Sequence, residues 1–175
     1  LGYVTLRPNF RGVGASEGVH DDGKGEAEDL LMVIDWMRDS FNWQGIAQLE
    51  GHGWPVLVSD LPLAMAGFSF GSYVSSYVVA RLEQKNQGPE RLIMVGTATS
   101  KWDVAPVPKG TIVIHGEVDD VIPLSSVLDW ARPQELTVQV IPGADHFFHR
   151  KLHCIRDLIV SAWQGQPEPG VVNGA

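Results

Sequence analysis

Gly67-Phe68-Ser69-Phe70-Gly71 lies between an apolar run, Leu61-Pro62-Leu63-Ala64-Met65-Ala66, and a small-residue run, Ser72-Tyr73-Val74-Ser75-Ser76-Tyr77. Gly-x-Ser-x-Gly with a strand before it and a helix after it predicts a sharp strand-to-helix turn that lifts the serine hydroxyl clear of a sheet. The turn strains the serine backbone. Gly67 and Gly71 are both expected to be required, because a side chain at either would clash with the adjoining strand or helix. The helix N-terminus that follows directs its partial positive charge toward the hydroxyl. On its own the five-residue pattern is common by chance, and the strand-helix context is what gives it meaning.

A serine nucleophile needs a base, and the base needs a carboxylate to orient it. Thr111-Ile112-Val113-Ile114-His115 is a short β-branched run that reads as a buried strand, and the acidic loop Gly116-Glu117-Val118-Asp119-Asp120 follows it. A second strand, Leu136 to Ile141, runs into Pro142-Gly143-Ala144-Asp145-His146. Serine, aspartate and histidine thus each follow a strand, and loops at that edge of a parallel sheet line the ligand crevice. Asp119 competes with Asp120, Glu117 and Asp103, and its register with Pro123 favours it. His146 competes with His149, which reads as the start of a helix, and with His115, which reads as a hydrogen-bonded core histidine.

These motifs resemble the α/β-hydrolase superfamily, and Asn9-Phe10-Arg11-Gly12-Val13-Gly14-Ala15-Ser16-Glu17-Gly18 is similar to the loop after that fold's fourth strand. The likeness runs from Gly2 to about Trp163 and is strongest to small, lidless bacterial serine hydrolases, with dienelactone hydrolases more distant. It implies a three-layer α/β/α sandwich with a mostly parallel sheet. It also implies Ser69 as nucleophile, Asp119 as acid, His146 as base and the Phe70 backbone N–H in the oxyanion hole. Dienelactone hydrolases use cysteine where this chain has Ser69, so their chemistry is not expected. In the parent fold three strands precede the one that Gly2 begins, and the loop after the third supplies another oxyanion donor. Nothing in the sequence matches that segment. The expectation is an N-terminally incomplete catalytic domain over residues 1–164, or a shortened one whose Tyr3 to Arg7 strand, buried on both faces, pairs beside Leu63 to Gly67.

The chemistry implied is carboxylesterase-type hydrolysis of short acyl esters through an acyl-enzyme, without metal or cofactor. Thioester or peptide hydrolysis on the same residues is the alternative, as is a non-catalytic binding protein. Arg11 reads as a loop-fixing residue. The glycines from Gly12 to Gly18 match neither a phosphate loop nor the dinucleotide pattern. His149 and His153 have helical metal-ligand spacing but no third ligand in register.

Strands alternating with helices predict a parallel sheet covered on both faces. Helices are expected from Gly23 to about Ser40, with Leu30, Ile34, Met37 and Phe41 along one stripe, and from Pro123 to Ala131. A last helix is expected from about His149 to Trp163, with Leu152, Ile155, Ile159 and Ala162 buried. Arg91 to Val95 reads as a strand, Thr97 to Gly110 as a loop too short for a helical cap, and Phe41 to Asp60 as irregular. Residues 165–175 read as a disordered tail. A net charge of −8 and a pI near 5.1 disfavour nucleic acid and anionic membranes as partners. The single cysteine, Cys154, excludes an internal disulfide framework, reads as a buried inert thiol and suits the cytoplasm.

Overall fold

Four parallel strands lie side by side in chain order: β1 (Ala64–Phe68), β2 (Arg91–Val95), β3 (Ile112–Gly116) and β4 (Val138–Ile141). The computed structural model describes residues 5–40 and 62–164, with the backbone alone at 39, 40 and 164. The expectations for Phe41 to Asp60, Tyr3, Val4 and residues 165–175 lie outside the described residues.

Alternation along β2 and β3 divides the core between the two faces of the sheet. Leu92 and Met94 pack with Val79 of helix α2 (Phe70–Glu83), and Val113 packs with Val127 and Ala131 of α3 (Leu124–Ala131). Ile114, one residue on, turns to the opposite face and meets Ile155, Leu158 and Ile159 of α4 (Leu152–Gln164). The result is helix, sheet, helix, and the central strands β2 and β3 read as nearly continuous apolar runs because both of their faces are covered, whereas Ala66 and Phe68 of β1 are exposed. Burying a side chain such as Ile114 or Phe148 in this way stabilises the fold by about 1.5–3 kcal/mol. Helix α1 (Lys24–Ser40) lays Ala27 and Ile34 against Val74, Val78 and Leu82 of α2.

Several sequence expectations need correction. Thr5, Leu6 and Arg7 are exposed and carry no strand, so the described part of the predicted Tyr3 to Arg7 strand neither pairs beside β1 nor is buried. A strand exists only where a neighbour takes its backbone hydrogen bonds, which an apolar pattern cannot guarantee. Leu152 is 65% exposed. Ile155 and Ile159 pack against the sheet as expected, joined by Cys154 and Leu158, and the helix begins at Leu152 rather than near His149. Cys154 is a free thiol and only partly buried. Pro123 caps α3 from outside with φ −57° and ψ 134° rather than occupying its first turn.

Candidate active site

Ser69 sits between β1 and α2 with φ 51° and ψ −118°. This is a left-handed value that a non-glycine residue holds at a cost of about 1–3 kcal/mol. Its N–H donates to the Val95 carbonyl at 2.9 Å, which ties the turn to β2. Serine at a helix N-cap ordinarily turns its hydroxyl onto the first turn of the helix. Here the side chain makes no such bond. The Ser69 carbonyl accepts from the Ser72 N–H and hydroxyl instead, leaving Ser69 Oγ for other work.

The two glycines are not equivalent. A Cβ on Gly67 would stand 2.5 Å from the Gly71 carbonyl oxygen, a contact only backbone movement could relieve. A Cβ on Gly71 would meet nothing among the described residues closer than the Phe10 ring at 3.9 Å, which is ordinary contact. The expectation that both positions exclude a side chain therefore holds for Gly67 and fails for Gly71, whose side faces a ring and not the strand.

His146 lies five residues beyond the end of β4, and Asp119 three beyond the end of β3. Hydrogen bonds knit these two loops together. Glu117 N–H donates to Ile141 O and Val118 N–H to Ala144 O, while the Glu117 carboxylate accepts from Gly143 N–H at 2.7 Å. Asp119 is fixed within its own turn, where Oδ1 accepts from the N–H groups of Val121 at 2.9 Å and Ile122 at 2.7 Å. Its Oδ2 accepts from His146 Nδ1 at 2.8 Å. A carboxylate can only accept, so Nδ1 carries the proton; Nε2 of the neutral ring is then the acceptor for Ser69 Oγ–H at 2.9 Å. The three side chains named from sequence form one hydrogen-bonded chain, with Asp119 and His146 buried. Asp120 is exposed.

His149 is bonded elsewhere: its Nδ1 donates to Asp145 at 2.6 Å, holding that carboxyl below the usual carboxylate range. Among the described residues no group of three or more His, Cys, Asp or Glu could hold a metal ion. His115 is the core histidine the sequence suggested: it is fully buried, and its Nε2–H donates to the Ile122 carbonyl at 2.9 Å. Burial pushes its pKa down, against the opposing pull of that carbonyl and of Asp119. Sequence reasoning did not place it 3.4 Å from Asp119 Oδ2, although the i, i+4 spacing was there to read.

The Phe70 N–H opens α2 beside Ser69, where the dipole of a 14-residue helix favours negative charge. The Phe70 ring packs among Phe10, His20, Tyr73 and Trp102. His20 of this cluster meets buried Glu26 at 2.9 Å, a carboxyl on which burial acts upward. The N–H groups of Asp21 and Gly23 and the nearby His20 outweigh that and leave its carboxyl below the ordinary range. Arg11 Nε and Nη2 donate to Asp29 at 2.8 and 2.7 Å, which makes Arg11 a loop-fixing residue as expected.

A serine hydroxyl hydrogen-bonded to a carboxylate-oriented imidazole, at the carboxyl edge of a parallel three-layer sheet, defines the class of α/β serine hydrolases. A profile of the X-Pro dipeptidyl-peptidase (S15) family matches residues 1–120, most of the sequence, and the chain belongs to that family. A lidless α/β serine hydrolase from Xanthomonas campestris superposes with a TM-score of 0.71 at 33% identity, covering 91% of this chain and 66% of the other. An α/β serine hydrolase homologue from Coxiella burnetii gives a TM-score of 0.65 at 30% identity, over 87% of this chain and 65% of the other. An uncharacterised protein of Rickettsia prowazekii is 31% identical over 86% of this chain. The chain spans 60% of the length of that relative. No helix among the described residues is long and apolar enough to cross a membrane.

Proposed function

We propose that this hydrolase cleaves short-chain carboxylic esters, with Ser69 as nucleophile, His146 as general base and acid, and Asp119 as the group that orients and stabilises the imidazole. The observation that carries the proposal is the continuous bonding from Ser69 Oγ through His146 to Asp119, at 2.9 and 2.8 Å. As Ser69 Oγ attacks the ester carbonyl, Nε2 takes its proton, and Asp119 offsets the charge that forms on the ring. The oxyanion collects at the Phe70 N–H, a contribution of about 3–4 kcal/mol from a single well-placed donor. Nε2 then returns the proton to the departing alkoxide, and water repeats the sequence on the acyl-enzyme.

The short-acyl preference rests on the connection from β2 to β3, residues 96–111, which is turns and loop with no inserted helix to cover the crevice. The net charge of −8 favours a small neutral ester over nucleic acid or an anionic membrane as partner. The one cysteine is compatible with a cytoplasmic location. Labelling with a fluorophosphonate probe tests the proposal, because only an activated serine reacts. Modification mapped to Ser69 and lost in His146→Ala supports it, and an unlabelled native protein would overturn it.

A second reading is peptide hydrolysis on the same residues, favoured by the S15 family match. The acyl-transfer steps are unchanged and only the leaving group differs, an amine in place of an alcohol. A panel of matched esters, thioesters and X-Pro amides separates the two.

A further inference from the structure

Phe68 and Phe147 present two neighbouring phenyl rings to solvent beside His146. Phe68 ends β1 and is 43% exposed; Phe147, next to His146 in sequence, is 60% exposed. Their centroids are 6.2 Å apart and lie 5.1 and 5.2 Å from that of the imidazole. The contrast with the next residue is informative. Phe148 is 1% exposed, packed with Ile114 and Ile141 against α4. The fold therefore buries one phenyl of the pair and leaves the other beside Phe68, forfeiting burial that an aromatic side chain ordinarily obtains.

The chemistry of the site says what lies against these rings. In acyl transfer the bond from Ser69 Oγ to the acyl carbon forms, the bond to the leaving oxygen breaks, and Nε2 delivers its proton to that oxygen. The leaving oxygen must therefore come within hydrogen-bond reach of Nε2. Whatever is attached to it begins a bond or two from the imidazole, which the exposed rings of Phe68 and Phe147 both contact. Two rings at this spacing favour a third in edge-to-face or offset contact. Beyond Phe147 stands the His149 ring, at 5.9 Å, with Asp145 bonded to it. A carboxylate at that rim works against an anionic leaving group.

We propose that Phe68 and Phe147 form a leaving-group subsite selective for esters of uncharged aromatic alcohols. This rests on the ester reading above and adds the class of alcohol released. A role limited to keeping water from His146 would affect every ester alike.

The test compares an aryl acetate with an alkyl acetate whose alcohols have matched acidity, so that intrinsic leaving ability cancels. The wild-type chain is expected to favour the aryl ester in kcat/KM by about tenfold, mainly through KM. Phe147→Ala and the apolar-preserving Phe68→Leu should each reduce that ratio several-fold. A wild-type ratio near one, or equal losses on both esters in the variants, would overturn the subsite. If neither ester is hydrolysed, the ester reading itself fails. Ser69 phosphonylation by an aryl and an alkyl phosphonate of matched leaving-group acidity then decides the subsite independently, equal rates counting against it.

Discussion

His115 Nε2 stands 3.4 Å from Asp119 Oδ2, with both side chains fully buried. The same oxygen accepts from His146 Nδ1, so one carboxylate oxygen lies between two imidazoles. The two rings are held differently. His146 reaches Ser69 through its second nitrogen, whereas His115 Nδ1 has no hydrogen-bond partner among the described residues. Burial without a partner at Nδ1 favours the neutral ring, in agreement with the direction of its pKa shift.

This pair makes stability pH-dependent. Native His115 resists protonation below its ordinary value of 6.5, whereas in the unfolded chain it protonates there. The unfolded state then binds more protons, so stability falls as pH drops below about 6.5, by at most about 1.4 kcal/mol per pH unit. Burial, opposed by the Ile122 carbonyl and Asp119 and reinforced by His146, sets where the loss ends. Urea midpoints measured between pH 7 and 5 should slope more steeply in the wild type than in His115→Gln. Parallel curves would show that His115 does not titrate differently in the two states.

Ser69→Ala and His146→Ala should each lower turnover of a short activated ester by about 10⁴-fold or more while the fold survives, because members of such a unit fail together. Circular dichroism and steady-state kinetics on the same samples check this. Near-normal turnover in His146→Ala, with loss in His149→Ala, would reassign the base.

Gly67→Ala should destabilise the protein by about 2 kcal/mol or more, since its Cβ would press on backbone at 2.5 Å. Gly71→Ala should stay within about 1 kcal/mol of wild type, because alanine suits a helix and finds room against Phe10. Thermal melts of the two variants give the comparison directly. Equal losses would mean that the elbow excludes side chains at both positions after all.

Acyl chains of about two to four carbons should be preferred over chains of ten or more. With no inserted helix over residues 96–111, a long tail gains little of the roughly 0.8 kcal/mol that each buried methylene would provide. A p-nitrophenyl ester series measures it. Rates rising steadily to long chains would argue for a covered acyl site.

Much of the site was legible because its signals are local. A nucleophile elbow must be written as a strand, a strained serine and a helix within about twenty residues. The loops carrying Asp119 and His146 each follow directly from a β-branched run. What was misjudged depends on neighbours distant in sequence. Leu152 fits a helical stripe with Ile155 and Ile159 yet is exposed, because a stripe position is buried only where the rest of the fold sets something against it. Thr5 to Arg7 belongs to a run read as a strand buried on both faces but has no ladder among the described residues.

By itself the sequence determined the class of fold, the order of its elements and the three residue types that meet at the sheet edge, because periodicity, turn chemistry and motif spacing are written within short windows of chain. Only the tertiary structure decided the rest. It chose which glycine of the elbow is indispensable, brought His115 against Asp119, and turned Phe147 outward while Phe148 went in. Those outcomes depend on ångström-scale contacts between segments tens of residues apart. A local pattern that reads two adjacent phenylalanines alike carries no information about which of them the rest of the molecule has room to bury.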